Sequence, residues 1–122
     1  MITKKRKQFI FAPALLFAIY GAAEGKGIDV FSTECAECHS IKEGKNKKGP
    51  SLFGIVGRKA GAIADFKYSD SLKDSGIVWT QEKLQAYIKS PKATVPGGKM
   101  KYEGLANSGD MNELLQYLDG IK

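Results

Sequence analysis

From residue 24 onward no segment alternates apolar and polar positions as a half-buried strand would, whereas helical spacing recurs. Between Gly27 and Cys35, the positions Ile28, Phe31 and Cys35 stand at i, i+3 and i+7 and define one expected helical face. After Trp79, Thr80 can cap a helix in which Leu84, Tyr87 and Ile88 fall at i, i+3 and i+4, and Pro91 requires it to stop near Ser90. A last helix is expected from Ser108 or Asp110, with Met111, Leu114, Leu115 and Leu118 on its apolar face and Gly120 just past its end. A shorter one is expected from Ser69 to Ser75, stopped by Gly76. The stretch KEGKNKKGPSLFGIVGRKAGAIADFKY carries Gly44, Gly49, Gly54, Gly57 and Gly61 with almost no periodicity. Loops beyond about 12–15 residues are uncommon inside a compact domain. Such a loop is tolerable if it wraps around a large group that the sequence does not encode. The pattern points to a small all-α domain with helices and long loops around a cofactor.

The remaining apolar run, Phe9 to Tyr20, has a different layout. It follows the cationic TKKRK and ends in Gly21, Ala22 and Ala23, as an export signal cleaved after Ala23 would. The uncharged run from Gln8 to Ala23 is 16 residues long and contains Pro13. A spanning helix needs about 20, so a cleaved signal is the expected reading and a retained N-terminal anchor the alternative. The expected organisation is a signal peptide at residues 1–23 and one domain at 24–122.

This division changes the charge. The formal +6 of the 122-residue chain includes Lys4, Lys5, Arg6 and Lys7, whereas residues 24–122 hold 15 basic against 13 acidic residues. A nearly neutral domain without a dense basic stripe argues against nucleic-acid binding, and its scattered lysines suit a transient contact face. A domain of this size builds only a thin core and often needs a metal, disulfide or cofactor as a staple.

The candidate staple is FSTECAECHS, which gathers both cysteines and the only histidine into positions 35 to 39. A structural zinc site takes four ligands, almost all Cys or His, and the chain has no further ones. A thioredoxin-like dithiol follows a strand, and none is expected before Cys35. A disulfide across two intervening residues would be strained as a sole staple. Cys-x-x-Cys-His reads instead as attachment of one c-type haem. Two thiols one helical turn apart can each add to a vinyl group on one edge of a porphyrin, and the imidazole of His39 can then reach the iron. The opposite face needs a second ligand. Met1 leaves with the signal, and Met111 lies on the apolar face of the last helix, where core packing suffices. Met100 sits in SPKATVPGGKMKYEG, which offers it no helical face, and is the expected distal ligand; anchoring of its loop into the core is the alternative. Met/His ligation raises the reduction potential and closes both axial positions to small molecules. Electron transfer is therefore the expected function.

With CAECH, KKGPSLFGIVGRKAG, YSD, Trp79 and YIKSPKATVPGGKM in that order, the chain closely resembles class I cytochrome c, in the branch of mitochondrial cytochrome c and bacterial cytochrome c2. The resemblance covers nearly all of residues 25 to 119, and the export signal favours a bacterial, periplasmic member. It implies that the Pro50 carbonyl orients His39 and that Arg58, Tyr68 and Trp79 hydrogen-bond or neutralise the haem propionates. It also implies that Tyr87 lies near the Met100 sulfur and that Gly27, Phe31, Leu114 and Tyr117 form the crossing of the first and last helices. Read without the resemblance, Arg58 also fits a surface cation, Trp79 the core and Tyr87 simple packing. The implied protein is a monomeric carrier, not an enzyme, and takes no small-molecule substrate. It would shuttle electrons from a bc1-type complex to an oxidase or photosynthetic reaction centre, docking through exposed lysines.

Several positions depart from the pattern. Leu72 stands where an asparagine is common, Gly98 for a threonine and Tyr102 for a phenylalanine. Glu34, Ala93, Ala106 and Asn107 occupy places that are often basic. The rival expectation is a haem protein with a labile distal site that binds small ligands or acts on peroxide.

Overall fold

The computed structural model describes residues 24–122, so the expected signal segment lies outside the described residues. Within them the architecture is all-helical: α1 (Glu24–Glu34), α2 (Asp70–Lys73), α3 (Gln81–Lys89), α4 (Pro91–Thr94) and α5 (Ser108–Asp119). None of these is long and apolar enough to cross a membrane.

α5 forms as its spacing requires. Asn107 Oδ1 accepts from the Asp110 N–H at 2.9 Å and caps the start, and Met111, Leu114, Leu115 and Leu118 are all buried. Gly120 keeps a right-handed backbone (φ −79°), so the chain does not use its left-handed freedom there. α3 is capped by Thr80 Oγ1, which accepts from the Lys83 N–H at 3.1 Å, and it buries Leu84. Ser69 caps α2 rather than belonging to it, accepting from the Leu72 N–H at 3.1 Å, and the helix ends at Lys73 rather than Ser75.

The expected stop before Pro91 holds with an addition, and one expectation needs correction. Pro91 ends α3 but also opens α4, because the first helical position needs no N–H and favours proline's fixed φ. The Thr94 hydroxyl stands 3.0 Å from the Ala86 carbonyl and ties this extra turn back onto α3. In α1 the buried face is Gly27, Val30 and Phe31, whereas Ile28 is 48% exposed. The reason is the crossing with α5. A Cβ at Gly27 would stand 2.5 Å from the Glu113 carbonyl oxygen and 2.7 Å from Tyr117 Cβ, so the glycine marks the contact. Phe31 meets the Tyr117 ring beside it, centroids 5.8 Å apart.

The later part of the long glycine-rich segment is pinned by a short bridge and not by paired strands. Gly57 N donates to Trp79 O, Trp79 N to Arg58 O and Ala60 N to Ile77 O, each at 2.8 Å. This bridge brings Arg58 beside Trp79.

Candidate functional site

α1 continues for one further turn past Glu34. The Cys35 and Ala36 N–H groups donate to Phe31 O at 2.8 and 2.9 Å, and those of Cys38 and His39 donate to Cys35 O at 3.1 and 2.9 Å. Cys35 and Cys38 are thereby half-buried free thiols on one turn, with His39 directly after them. Burial, reinforced by Glu34 and Cys38, pushes the Cys35 thiol up to about 11.

Residues 47–50 fold back under this turn. Gly49 N donates to Cys38 O at 2.8 Å and Lys47 N to Gly49 O at 2.9 Å, while the Lys47 ammonium donates to the Ala36 carbonyl. His39 Nδ1 then meets Pro50 O at 2.7 Å. A carbonyl can only accept, so Nδ1 carries the proton and Nε2 keeps its lone pair. Burial holds the imidazolium below its usual range even though the Pro50 carbonyl favours it, and the Arg58 and Lys47 cations add to the depression. At neutral pH the ring is therefore an uncharged imidazole with a bare Nε2, the form that binds metals. Gly49 lies against the ring face, where a Cβ would collide with Cε1, Nδ1 and Nε2.

This donor set fits a porphyrin iron. It supplies two thiols one turn apart and an oriented imidazole. Leu52, Leu72, Ile77, Tyr87 and Ile88 add half-buried apolar surface packed on the core. Zinc fits poorly, since a structural site takes four ligands, almost all Cys or His, and the chain has only Cys35, Cys38 and His39.

Of the other expected site residues, Arg58, Tyr68, Trp79 and Tyr87 neighbour one another. Arg58 is half-buried and donates through its two Nη atoms to Ser51 O at 2.8 Å and Phe53 O at 3.1 Å, directly downstream of Pro50. Burial lowers the Arg58 guanidinium, and the nearby Tyr68 phenol partly offsets this. Tyr68 Oη accepts from the Ile63 N–H at 3.2 Å. Trp79 is buried and packs on Tyr87, ring centroids 4.9 Å apart. Met100 is half-buried in a segment without regular structure, whereas Met111 lies in the core at 3% exposure.

Two features leave little trace in the sequence. Gly49 is one glycine among several, and only its place directly before Pro50 hints at contact with the histidine. Glu34 and Tyr102 stand out singly as departures, yet the structure joins them: Tyr102 Oη donates to Glu34 Oε2 at 2.7 Å across 68 positions.

Comparison with known proteins adds independent findings. The family described as Cytochrome c matches residues 22–122. The chain is 43% identical over 95 residues to cytochrome c of Cochliobolus lunatus, covering 77% of this chain and 88% of that one. It is 46% identical over 90 residues to cytochrome c2 iso-2 of Magnetospirillum molischianum, covering 74% and 93% respectively. The solved structure of cytochrome cH from Methylobacterium extorquens superposes with a TM-score of 0.73 at 38% identity, covering 79% of this chain and 96% of that one.

Proposed function

This chain belongs to the cytochrome c family, and on that premise we propose that it is a periplasmic one-electron carrier whose iron is held between His39 and Met100. It is a haem c electron carrier with one covalent haem, and Cys35 and Cys38 fit the attachment motif. When bound, the haem supplies an iron that alternates between the ferric and ferrous states by gaining or losing one electron.

The protein's own residues set the conditions for that exchange. His39 presents Nε2, and the Pro50 carbonyl fixes its ring and proton. As the second ligand, the Met100 thioether would raise the potential and leave no open position for oxygen or peroxide. Arg58, Tyr68 and Trp79 would hold the propionates, with the guanidinium offsetting the charge they bring, and Tyr87 would pack beside the Met100 sulfur. The observation that carries this reading is the 2.7 Å contact of His39 Nδ1 with Pro50 O, which leaves Nε2 free beside two thiols.

The cationic and apolar run at residues 1–23 supports export, with Ala23 as the cleavage point. The monomer would take electrons from a bc1-type complex and pass them to a terminal oxidase or reaction centre, and it turns over no small-molecule substrate. Lys45, Lys47, Lys92, Lys99 and Lys101 are the lysines proposed for docking. Glu34 lies among the positions that are often basic in the family, and Lys48 is paired with Glu37 at 3.4 Å. Complementary charge sets mainly association rate and its salt dependence, so partner reduction should lose less rate between low and physiological ionic strength than in a mitochondrial-type protein with a fuller basic ring. Stopped-flow rates across that range check this, and a steep loss would refute it.

The absorption spectrum of the oxidised protein tests the ligation directly. The weak far-red band of methionine sulfur on ferric haem is expected at neutral pH. Its absence would favour the labile-site reading and move the next experiment to ligand binding and peroxide chemistry.

A further inference from the structure

We propose that Tyr102 and Glu34 form a latch that holds the segment carrying Met100 closed over the haem-attachment turn. Tyr102 is on this view a positioning residue, acting on the iron only through Met100, and that consequence rests on the ligation proposed above.

The segment has few other tethers. Upstream, Gly98 N donates to Val95 O at 3.1 Å; downstream, Leu105 N donates to Ile88 O at 3.0 Å. Val95 and Leu105 are buried and anchor the two ends. Between them, among the described residues, the six positions 99–104 make one hydrogen bond to the rest of the chain, from Tyr102 Oη to Glu34 Oε2 at 2.7 Å. Lys99, Lys101 and Glu103 are exposed and none of them makes an ion pair with a described residue. Gly104 sits against the Lys89 carbonyl with φ +117°, which fixes the downstream end. Upstream, Gly97 with φ +82° packs close against Ser71 of α2, so opening is confined to Gly98–Glu103, the stretch that contains Tyr102.

The geometry of the pair suits a latch. Glu34 is the last residue of α1 and adjoins Cys35, so the bond reaches from the attachment turn to two positions past Met100. A phenol donating to a carboxylate makes a charge-assisted hydrogen bond, stronger than a neutral one. The Tyr102 ring also packs on the core. Phenylalanine would keep that packing and lose only the hydroxyl.

The test uses the haem-loaded protein and the variants Tyr102→Phe, Glu34→Gln and their combination. Imidazole titration of the ferric form reads displacement of Met100, and trypsin cleavage after Lys99 and Lys101 reads opening of the segment whatever binds the iron. Tyr102→Phe should raise both imidazole affinity and cleavage rate about fivefold, the size expected for one accessible hydrogen bond. Cleavage after Lys83 should not change. The double variant should match Tyr102→Phe alone, since one bond is removed in both. Unchanged cleavage overturns the latch, and so do additive effects or a rise in imidazole affinity without faster cleavage. Faster cleavage with unchanged imidazole affinity upholds the latch and instead removes Met100 from the iron.

Discussion

Replacing Met100 with alanine should abolish the far-red absorption band and lower the reduction potential on the order of 0.2 V, a fraction of the about 0.8 V that axial ligands span. A thioether stabilises ferrous iron relative to ferric, so its loss favours the oxidised form and the potential falls. The vacated side should admit imidazole or azide without the cost of displacing a bound sulfur. The natural control is the other methionine of the domain. Met111 is 3% exposed on the buried face of α5, so Met111→Leu should leave band and potential in place and cost under about 1.5 kcal/mol of stability. Voltammetry and spectra of the two variants assign the ligand. A Met100→Ala protein that keeps both band and potential would remove Met100 from the iron.

The second large effect concerns the crossing of the first and last helices. Glycine inside a helix is ordinarily worse than alanine by roughly 0.5–1 kcal/mol, so a Gly→Ala change in α1 should by default stabilise. At Gly25 an added methyl would meet no described residue within 4 Å, and Gly25→Ala should follow that default. Gly27→Ala should do the opposite. Its Cβ would meet the Glu113 carbonyl oxygen at 2.5 Å and Tyr117 Cβ at 2.7 Å, and the first of these is α5 backbone that cannot rotate away. α1 would have to lift off α5, loosening the contact of Phe31 with Tyr117. Overpacking of this kind costs typically about 1–3 kcal/mol, occasionally more, which outweighs the propensity gain. A net loss of about 2 kcal/mol is expected, read as a lower guanidinium midpoint of the haem-loaded protein. If both variants shift the midpoint in the same direction, this account of the crossing is wrong.

The sign reversal between Gly25 and Gly27 marks the limit of local signals. Helical spacing in α1 is compatible with more than one face, and Ile28, Phe31 and Cys35 offer the more apolar set. The face that packs is the one with a glycine, because close approach of two helix backbones selects for a missing Cβ. Pro91 poses a similar ambiguity. A proline ends one helix and can begin another, and the short α4 forms because Ser90 lets the chain turn between them.

By itself the sequence determined the chemistry and the helical frame. Cys35, Cys38 and His39 are close in the chain, and the turn that presents them needs only local hydrogen bonds. α3 and α5 follow from a 3.6-residue period and a polar cap, both local signals. The Pro50 contact that orients His39 was legible only through the family resemblance, and the tertiary structure alone decided the other long-range contacts. His39 reaches Pro50 across 11 positions, Asn46 reaches Asp65 across 19 and Tyr102 reaches Glu34 across 68. Such pairings leave no periodic trace, because a hydrogen bond between distant loops depends on how the packed core brings the two backbones together and on nothing in the residues between them.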